Sequence, residues 1–309
     1  MLYLSTRSRT ESYTAHRVLH TDRTPDGGLF VPHQLPHFSR REVLQLSRRT
    51  FGENVAQILN VFFSAKLTGW DVDFCCGRNP VKVVELPHRV VIAELWHNTA
   101  ASYTYMEQAL YNKLCVDQKE STVTDWARIA IYIAVLFATY GATEAAKTAD
   151  NIDIALDADG FIVPTAAWYA RKMGLPIGMI LCGNEDTSVV WDLLHRGETG
   201  TASAACELTG LERLIYSIGG YEASVAFVQT CSARKTYHVA EENLSDIHDG
   251  LFAAVVSSTR VPSVMESFYR SHGYAMDPFA AIGYGALQDY RARTGESRKT
   301  LLLSLRDPS

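Results

Sequence analysis

The segment from Val90 to Leu114 constrains the fold most, because an apolar β-branched run leads into a short polar stretch and then into a helical pattern. The run from Val90 to Ala93 predicts a buried strand, and residues 97–102 supply a turn. Apolar side chains then recur at helical spacing at Tyr103, Met106, Leu110 and Leu114. The sequence therefore predicts a strand, a loop and a helix, the repeating unit of α/β proteins that keep their chemistry in such loops.

Composition describes an ordinary globular chain of one or two domains, with 309 residues, 47% hydrophobic and 20% charged residues, and a net charge of -5. Basic residues are scattered, with Arg40-Arg41 and Arg48-Arg49 as short pairs, so we expect no nucleic-acid partner. No run is apolar enough to span a bilayer, and the N-terminus lacks the apolar core of a signal peptide. We therefore expect no membrane partner and a cytoplasmic location.

The six cysteines show no C-x-x-C spacing and no histidine pairing of the kind that marks a zinc site. Free cysteine is commonly a small core residue. We therefore predict reduced, mostly buried thiols and no metal site.

Glu94-Leu95-Trp96-His97 resembles the E-L-F-H motif of the threonine synthase family, which are pyridoxal-phosphate enzymes of fold type II. In the family this motif leads to a lysine that forms the Schiff base with the cofactor and later moves protons. Aligned without a gap, Thr104 occupies the family lysine position. A threonine hydroxyl can neither form this Schiff base nor transfer these protons. The resemblance therefore implies the fold but no catalytic residue, and no cofactor is expected.

The N-terminal region carries the same resemblance. Tyr3, Ser5, Thr6 and Arg7 match the family's Y-x-S-T-R-G, and residues 26–32 match its D-G-G-L-Y-V-P turn. The paired glycines supply the positive φ of a tight turn. Amphipathic patterns follow this turn, which predicts a helical N-terminal region that serves as scaffold.

Residues 121–140 predict a buried helix capped by Thr124 or Asp125. The segment resembles the family's N-W-A-R-I helix, with Trp126 to Ile129 intact. Arg128 is a candidate contact for an anionic ligand. The alternative is an ion pair with Asp125 or a neighbouring carboxylate.

Residues 159–177 predict a strand that ends at Pro164 and a helix that stops at Gly174 and Pro176. They resemble a family segment in which V-P-T precedes G-N-F-G-N, a glycine-rich stretch that surrounds the cofactor phosphate. Here Thr165 leads directly into Ala166, so that stretch is missing. Thr165 remains a candidate ligand contact, and no cofactor-binding residue is predicted.

Only residues 115–120 separate the two helices between which the family places a phosphate and carboxylate loop and much of its small domain. The resemblance implies an α/β fold with a threonine-synthase-like, fold-type II large domain, a helical N-terminal region and a largely deleted small domain. We expect an N-terminal region over 1–85 and a remnant α/β domain over 86–309, with the small-domain segment missing near 115–121.

Further along the chain, residues 179–194 predict an apolar strand, residues 243–273 two surface helices, and residues 300–305 a last strand. Phe279 and Ala280 replace a family His-Thr pair. In the family a hydroxyl near the last strand end meets the pyridine nitrogen. The register of Ser304 favours a plain strand serine.

The sequence predicts a pseudoenzyme, a folded scaffold that binds a partner or ligand without turnover. The first alternative is an active lyase that acts on O-phosphohomoserine through Lys113 or Lys147, although Lys113 lies about two and a half turns beyond Thr104. The second is a shortened relic without function. His97 is the histidine expected on the cleft loop, either as a ligand contact or in a hydrogen-bonded structural role.

Loss of the small domain should expose the face that it covers in the family, including some of the apolar side chains around Tyr103, Tyr105, Trp126 and Trp168. Exposed apolar patches of that size mark interfaces. We expect either loops 141–158 and 197–205 or another subunit to cover this face, and we favour a homodimer or a complex with an intact threonine synthase.

Overall fold

The computed structural model describes residues 1–115, 122–185, 189–199 and 209–308. The strands are β1 (Leu2–Ser5), β2 (Tyr13–Thr14), β3 (Phe30–Pro32), β4 (Lys82–Leu86), β5 (Val90–Glu94), β6 (Ile152–Asp157), β7 (Ile177–Asn184), β8 (Leu251–Val255) and β9 (Thr300–Ser304). The helices of the N-terminal half are α1 (Ala15–His20), α2 (Arg40–Leu46), α3 (Phe51–Phe63), α4 (Gly69–Cys76), α5 (Tyr103–Leu114) and α6 (Asp125–Gly141). Those of the C-terminal half are α7 (Ile162–Lys172), α8 (Val189–Arg196), α9 (Thr209–Ser232), α10 (Glu241–His248), α11 (Val261–His272) and α12 (Pro278–Thr294).

A six-stranded sheet forms the centre of the molecule, in the order β4-β5-β9-β6-β7-β8. Strand β4 is antiparallel to β5, and the remaining neighbours are parallel. A parallel sheet brings the carboxyl ends of its strands to one edge, where α/β proteins build their sites. In the described part of the chain, the other strands form one small antiparallel sheet, β2-β1-β3.

Helices cover both faces of the large sheet. Val91 and Ala93 of β5 join the core that holds α3, α6 and α7, whereas Val90 and Ile92 join the core of α11 and α12. Strands buried on both faces have no polar side to alternate with, which explains their continuous apolar runs. The α/β fold class is therefore confirmed.

The N-terminal region packs on the same core as the sheet. The Tyr3 hydroxyl donates to the carbonyl of Phe62 over 2.8 Å, and its ring lies edge-on to Trp126 of α6 at 5.7 Å. Gly27 has the positive φ (78°) that the predicted turn requires. The predicted helices are present as α2 and α3, and each begins with a capping box. The boundary between residues 85 and 86 stays a prediction.

Two sequence predictions for helices are confirmed at their starts. Helix α6 is capped by the Thr124 hydroxyl, which accepts from the Ala127 amide, and fourteen of its seventeen residues are buried. Helix α5 follows β5 after the loop 95–102, as the pattern over residues 90–114 predicted. The deletion expected near 115–121 falls on residues 116–121, outside the described part of the chain.

The strand predicted to end at Pro164 is wrong. Phe161 has a left-handed backbone (φ 58°) and is the N-cap of α7, and Pro164 lies in the first helical turn, where a missing N–H costs nothing. The strand lies earlier, at residues 152–157. The predicted helix end is confirmed, since α7 stops at Lys172 and Gly174 has a positive φ (98°).

Two further elements differ from the sequence prediction. Residues 179–194 hold not one strand but β7 followed by α8, and residues 243–273 contain β8 between two helices. Both differences have one physical reason. Short apolar runs such as Leu251–Val255 carry no periodicity that separates a buried strand from a helical segment.

In the described residues, no helix has the length and apolar character needed to cross a membrane.

Candidate functional site

Polar side chains gather where the parallel strands end. Glu94 is the last residue of β5, Asp157 ends β6, Ser304 ends β9, and Glu185 directly follows β7. Asp277, the N-cap of α12, joins them through a hydrogen bond from Ser304. We call these five residues the strand-end cluster. They occupy the edge at which open α/β sheets bind their ligands.

Glu94 is 3% exposed and is surrounded by donors. Its Oε1 accepts from the Tyr274 hydroxyl at 2.5 Å, and its Oε2 lies 2.5 Å from His97 Nε2 and 3.4 Å from Lys82 Nζ. Burial acts to raise the pKa of Glu94, but the bonds from Tyr274 and His97 and the charge of Lys82 outweigh it, so the pKa lies below its ordinary value. The carboxylate is therefore held ionised.

Ser304 connects the last strand to α12. Its hydroxyl donates to the Asp277 carboxylate and accepts from the Trp96 indole over 3.1 Å. Asp277 also accepts from the amides of Phe279 (2.9 Å) and Ala280 (3.1 Å), yet burial raises its pKa above the ordinary value. Ser304 lies in β9, and the interpretation as a plain strand serine stays a prediction. Its position at the end of β9 places the hydroxyl among the side chains of the cluster.

Asp157 has the most perturbed carboxyl of the cluster. Burial raises its pKa to about 6, against the hydrogen bond from the Asp159 amide, and repulsion from Asp159, Glu185 and Asp277 adds to the increase. Like charges that raise one another's pKa must lie close together. The strand-end cluster is thus a region of negative potential.

His97 lies at the rim of the cluster. Its ring stacks on Trp96 with centroids 4.2 Å apart, and its Nε2 contacts Glu94 as described. The hydrogen-bonded role that the sequence left open is therefore present, in direct contact with a cluster carboxylate. A ligand contact by His97 stays a prediction.

Arg128 forms an ion pair with a neighbouring carboxylate. Its Nε donates to Glu107 Oε1 over 3.0 Å, which joins α6 to the buried side of α5. This is the alternative that the sequence left open, with Glu107 rather than Asp125 as partner. This bond pairs Arg128 with Glu107, which is not a member of the strand-end cluster.

Thr165 is fully buried within α7. Its hydroxyl contacts two backbone carbonyls, those of Phe161 at 2.7 Å and Gly210 at 2.9 Å. Helix α9 packs so closely here that a Cβ added to Gly210 would lie 2.2 Å from the Phe161 carbonyl oxygen. The start of α7 is thus covered by α9, and the geometry gives Thr165 a structural role.

Thr104 is solvent-exposed as the second residue of α5. Lys113 and Lys147, the two candidates to replace the family lysine, form ion pairs elsewhere. Lys113 Nζ is 2.9 Å from Asp71, and Lys147 Nζ is 2.7 Å from Glu144. Among the described residues, Lys82 is the lysine that contacts the cluster. Sequence reasoning missed Lys82 because it lies on β4, outside every motif, and reaches Glu94 only through strand pairing.

Glu94, Asp157, Tyr274 and Asp277 were also missed as site residues. A signal for two of them is present in the sequence, since Glu94 and Asp157 each end an apolar run that forms a strand. No group of three or more metal-binding side chains occurs in the described ranges, and the five cysteines described there are all free thiols.

Comparison with known proteins points to one family. Residues 2–78 match the model of the threonine synthase N terminus. Threonine synthase-like 2 of Pongo abelii is 25% identical over 171 residues, which cover 50% of this chain and 33% of that protein. Threonine synthase of Pseudomonas aeruginosa is 22% identical over 182 residues, which cover 54% of this chain and 38% of that protein. The matches thus span little more than a third of these curated relatives.

The fold agrees with these matches. The crystal structure of pyridoxal-phosphate-bound threonine synthase from Brucella melitensis superposes with a TM-score of 0.85 at 15% identity, covering 100% of this chain and 89% of that one. At this identity the superposition establishes the fold alone. The N-terminal match, the two curated relatives and this fold agree in what they resemble, since each comparison finds this chain similar to threonine synthases.

Proposed function

We propose that this chain is a threonine-synthase-like pseudoenzyme, a folded scaffold that binds a partner or ligand without pyridoxal-phosphate-dependent turnover. The proposal is carried by Thr104, which the motif resemblance aligns with the family's cofactor lysine and which is solvent-exposed. A hydroxyl cannot form a Schiff base with the cofactor aldehyde. The strand, loop and helix that would present the lysine are nevertheless intact.

The described residues also fit the cofactor phosphate poorly. A phosphate dianion needs several backbone N–H donors at a helix N-terminus. In this chain the start of α7 packs against Gly210 of α9, so the close approach of a phosphate there would require the two helices to separate. This contact supports the proposal independently of Thr104.

Charge gives a third line of support. The strand-end cluster brings Glu94, Asp157, Glu185 and Asp277 to one sheet edge. Burial raises the pKa of Asp157, and repulsion from Asp159, Glu185 and Asp277 adds to the increase. An incoming dianion would meet this negative potential. Lys82 offsets part of it, but its side chain is 62% exposed and already faces Glu94.

The alternative is an active lyase that acts on O-phosphohomoserine through another lysine. Lys82 supports the lyase alternative, because among the described lysines it is the one in contact with the strand-end cluster. Lys113 and Lys147 are less favoured, since their ion pairs with Asp71 and Glu144 lie outside the cluster.

Borohydride trapping separates the two functions. Purified protein is mixed with pyridoxal phosphate, reduced, digested and mapped by mass spectrometry, in parallel with Lys82→Ala and with Lys66→Ala as the matched exposed control. We expect no aldimine absorption band and only scattered, substoichiometric surface adducts that are equal in all three proteins. A stoichiometric adduct on Lys82 that disappears in Lys82→Ala would overturn the pseudoenzyme proposal.

A second assay measures phosphate release from O-phosphohomoserine by the same preparations with added cofactor. The pseudoenzyme proposal predicts a rate equal to that of the buffer and cofactor blank. Release that scales with protein concentration and is lost in Lys82→Ala would establish the lyase instead.

A further inference from the structure

A groove beside the outer strand β8 is separate from the strand-end cluster. It consists of a cavity of about 630 Å³ and a smaller one of about 320 Å³, which share His195, Phe252 and Arg293. No member of the strand-end cluster lines either cavity. We call the two together the β8 groove. Its size falls within the range of small-molecule sites.

Aromatic rings form one wall of the β8 groove. The His195 ring stacks on Trp191 with centroids 4.5 Å apart and planes inclined by 18°. Phe252 meets His195 edge-on at 5.5 Å, and Tyr290 meets Phe252 at 5.2 Å. Continuous ring surfaces of this kind favour a flat apolar ligand body, because offset and edge contacts add to area burial.

The charges of the groove leave one cation uncompensated. Arg196 pairs with Asp192 at 3.0 Å, and Arg260 holds Asp289 through two bonds of 2.7 and 2.8 Å. Arg293 has no carboxylate within ion-pair distance in the described part of the chain. A ligand with one negative charge would neutralise the charge of Arg293.

His195 adds no charge of its own at neutral pH. Its Nδ1 lies 3.1 Å from the Trp191 carbonyl, which can only accept, so Nδ1 carries the proton in the neutral ring. Burial lowers the pKa of His195 below its ordinary value, and the nearby charges of Arg293, His248 and Arg196 lower it further. Arg196 and Arg293 therefore both lie near His195, and Arg293 is the one of the two without an ion-pair partner among the described residues.

The outer edge of β8 is closed to an added peptide strand. The Gly250 carbonyl and the Val256 amide bond to β7, so by alternation the backbone groups of Ala253 point away from it. Ala253 is nevertheless only 2% exposed, so its backbone groups are buried. A peptide could not reach these groups, which leaves the cavities themselves as the binding space.

We propose that the β8 groove binds a small aromatic monocarboxylate, with its ring against Trp191 and Phe252 and its carboxylate on Arg293. The site requires no cofactor and no residue of the strand-end cluster. It therefore stands whether the chain is a pseudoenzyme or a lyase.

The test uses benzoate as the probe and benzamide as its neutral isostere. Indole N–H signals are followed by NMR, and Trp191→Phe identifies the Trp191 signal. We expect benzoate to move the Trp191 signal in a saturable way at millimolar concentration, with benzamide weaker by up to about fivefold, the upper end of the range of an exposed charge pair.

Arg293→Gln supplies the matched test of the cation, and Arg41→Gln, an exposed arginine on α2, is its control. Arg293→Gln should weaken benzoate about fivefold and leave benzamide unchanged, whereas Arg41→Gln should bind both as the parent does. Equal affinity for benzoate and benzamide, unchanged benzoate affinity in Arg293→Gln, or a Trp191 signal that does not move would each overturn the proposal.

Discussion

The indole of Trp96 donates a hydrogen bond to the hydroxyl of Ser304 over 3.1 Å, across 208 residues of sequence. The same hydroxyl donates to Asp277, so its proton and one lone pair are both engaged within the chain. In threonine synthases a hydroxyl near this strand end serves the pyridine nitrogen, as the resemblance of the last strand implies. In this chain the Ser304 hydroxyl forms hydrogen bonds with Trp96 and Asp277 instead, which agrees with the proposed loss of turnover.

Ser304→Ala should destabilise the protein. The change leaves the buried Asp277 carboxylate and the Trp96 indole without their shared partner, and an unsatisfied buried group costs about 1–3 kcal/mol. Urea unfolding at neutral pH measures the loss. Ser297→Ala, at an exposed position, should stay within about 0.5 kcal/mol of the parent. Equal midpoints for the two variants would contradict a network at Ser304.

Asp157→Asn should stabilise the protein at neutral pH. The pKa of Asp157 rises from 3.8 to about 6 on folding, so the folded state disfavours the charged carboxylate. The stability cost of that charge is absent below pH 3.8, grows as the pH rises to 6 and is complete above it. The amide removes a cost of up to about 3 kcal/mol.

The measurement is the difference in unfolding free energy between Asp157→Asn and the parent across this pH window. It should be near zero in mild acid, increase towards pH 6 and then level off. Asp246→Asn, an exposed change on α10, should show no such rise. A flat profile for Asp157→Asn would contradict a pKa raised by burial and by the neighbouring carboxylates Asp159, Glu185 and Asp277.

Much of the fold was predictable because local signals and tertiary packing agree. The strand and helix around Val90–Leu114 and the capped helix α6 carry clear periodicity, and both are confirmed. Residues 159–164 carried a misleading signal. The apolar run before Pro164 suggested a strand, but α9 packs on Phe161 and favours a helical turn. No local pattern contains that long-range contact.

The site was less predictable than the fold for a related reason. Glu94 could be named from its motif, but its partners Lys82 and Tyr274 come from β4 and from the segment before α12. The order of the strands in the sheet brings these residues together, and that order cannot be read from the sequence alone. The acidic character of the cluster likewise depends on the order β9-β6-β7, which places Ser304, Asp157 and Glu185 on neighbouring strands.

Tyr274→Phe should weaken the network around Glu94. The phenol donates to a carboxylate that is 3% exposed, so its loss should cost about 1–3 kcal/mol at neutral pH. The pKa of Glu94 is lowered on folding, so its contribution is present above pH 4.5 and is lost as the pH falls through the folded value.

A double-mutant cycle with Glu94→Gln isolates this bond. We expect a coupling energy of at least about 1 kcal/mol at pH 7 that shrinks in acid. Tyr269→Phe, which removes a hydroxyl from a side chain that is 60% exposed, should show no coupling to Glu94→Gln. Additive changes at both tyrosines would contradict a special role for Tyr274.

Gly210→Ala should disrupt the contact between α7 and α9. The new methyl group would lie 2.2 Å from the Phe161 carbonyl oxygen, so one helix must shift, at a cost of about 3 kcal/mol. Gly295→Ala is the control, because its Cβ meets nothing within 4 Å and its positive φ (71°) costs only about 1 kcal/mol. Thermal unfolding of both variants checks the difference. A loss no larger in Gly210→Ala than in Gly295→Ala would mean that the start of α7 has room for a ligand after all.

The last prediction concerns association. Of the four aromatic residues expected on an exposed face, Tyr103, Trp126 and Trp168 are buried by their own chain, and that part of the expectation is wrong. The reason is internal packing, since Tyr132 stacks on Tyr103 and the Trp168 indole donates to Ser217 of α9.

Tyr105 is the member that stays exposed, at 44%. We still expect a homodimer, or a complex with an intact threonine synthase, and Tyr105 is the one of these four aromatic residues that remains available for such a contact. Light scattering at micromolar concentration should give a dimer mass, and Tyr105→Ser should shift the population towards monomer. Tyr269→Ser removes a ring that is 60% exposed on α11, in the layer beyond the sheet, and should leave the mass unchanged. A parent protein that is monomeric alone and in a mixture with threonine synthase would refute the prediction, because the packing of Tyr103, Trp126 and Trp168 would then suffice to close this face.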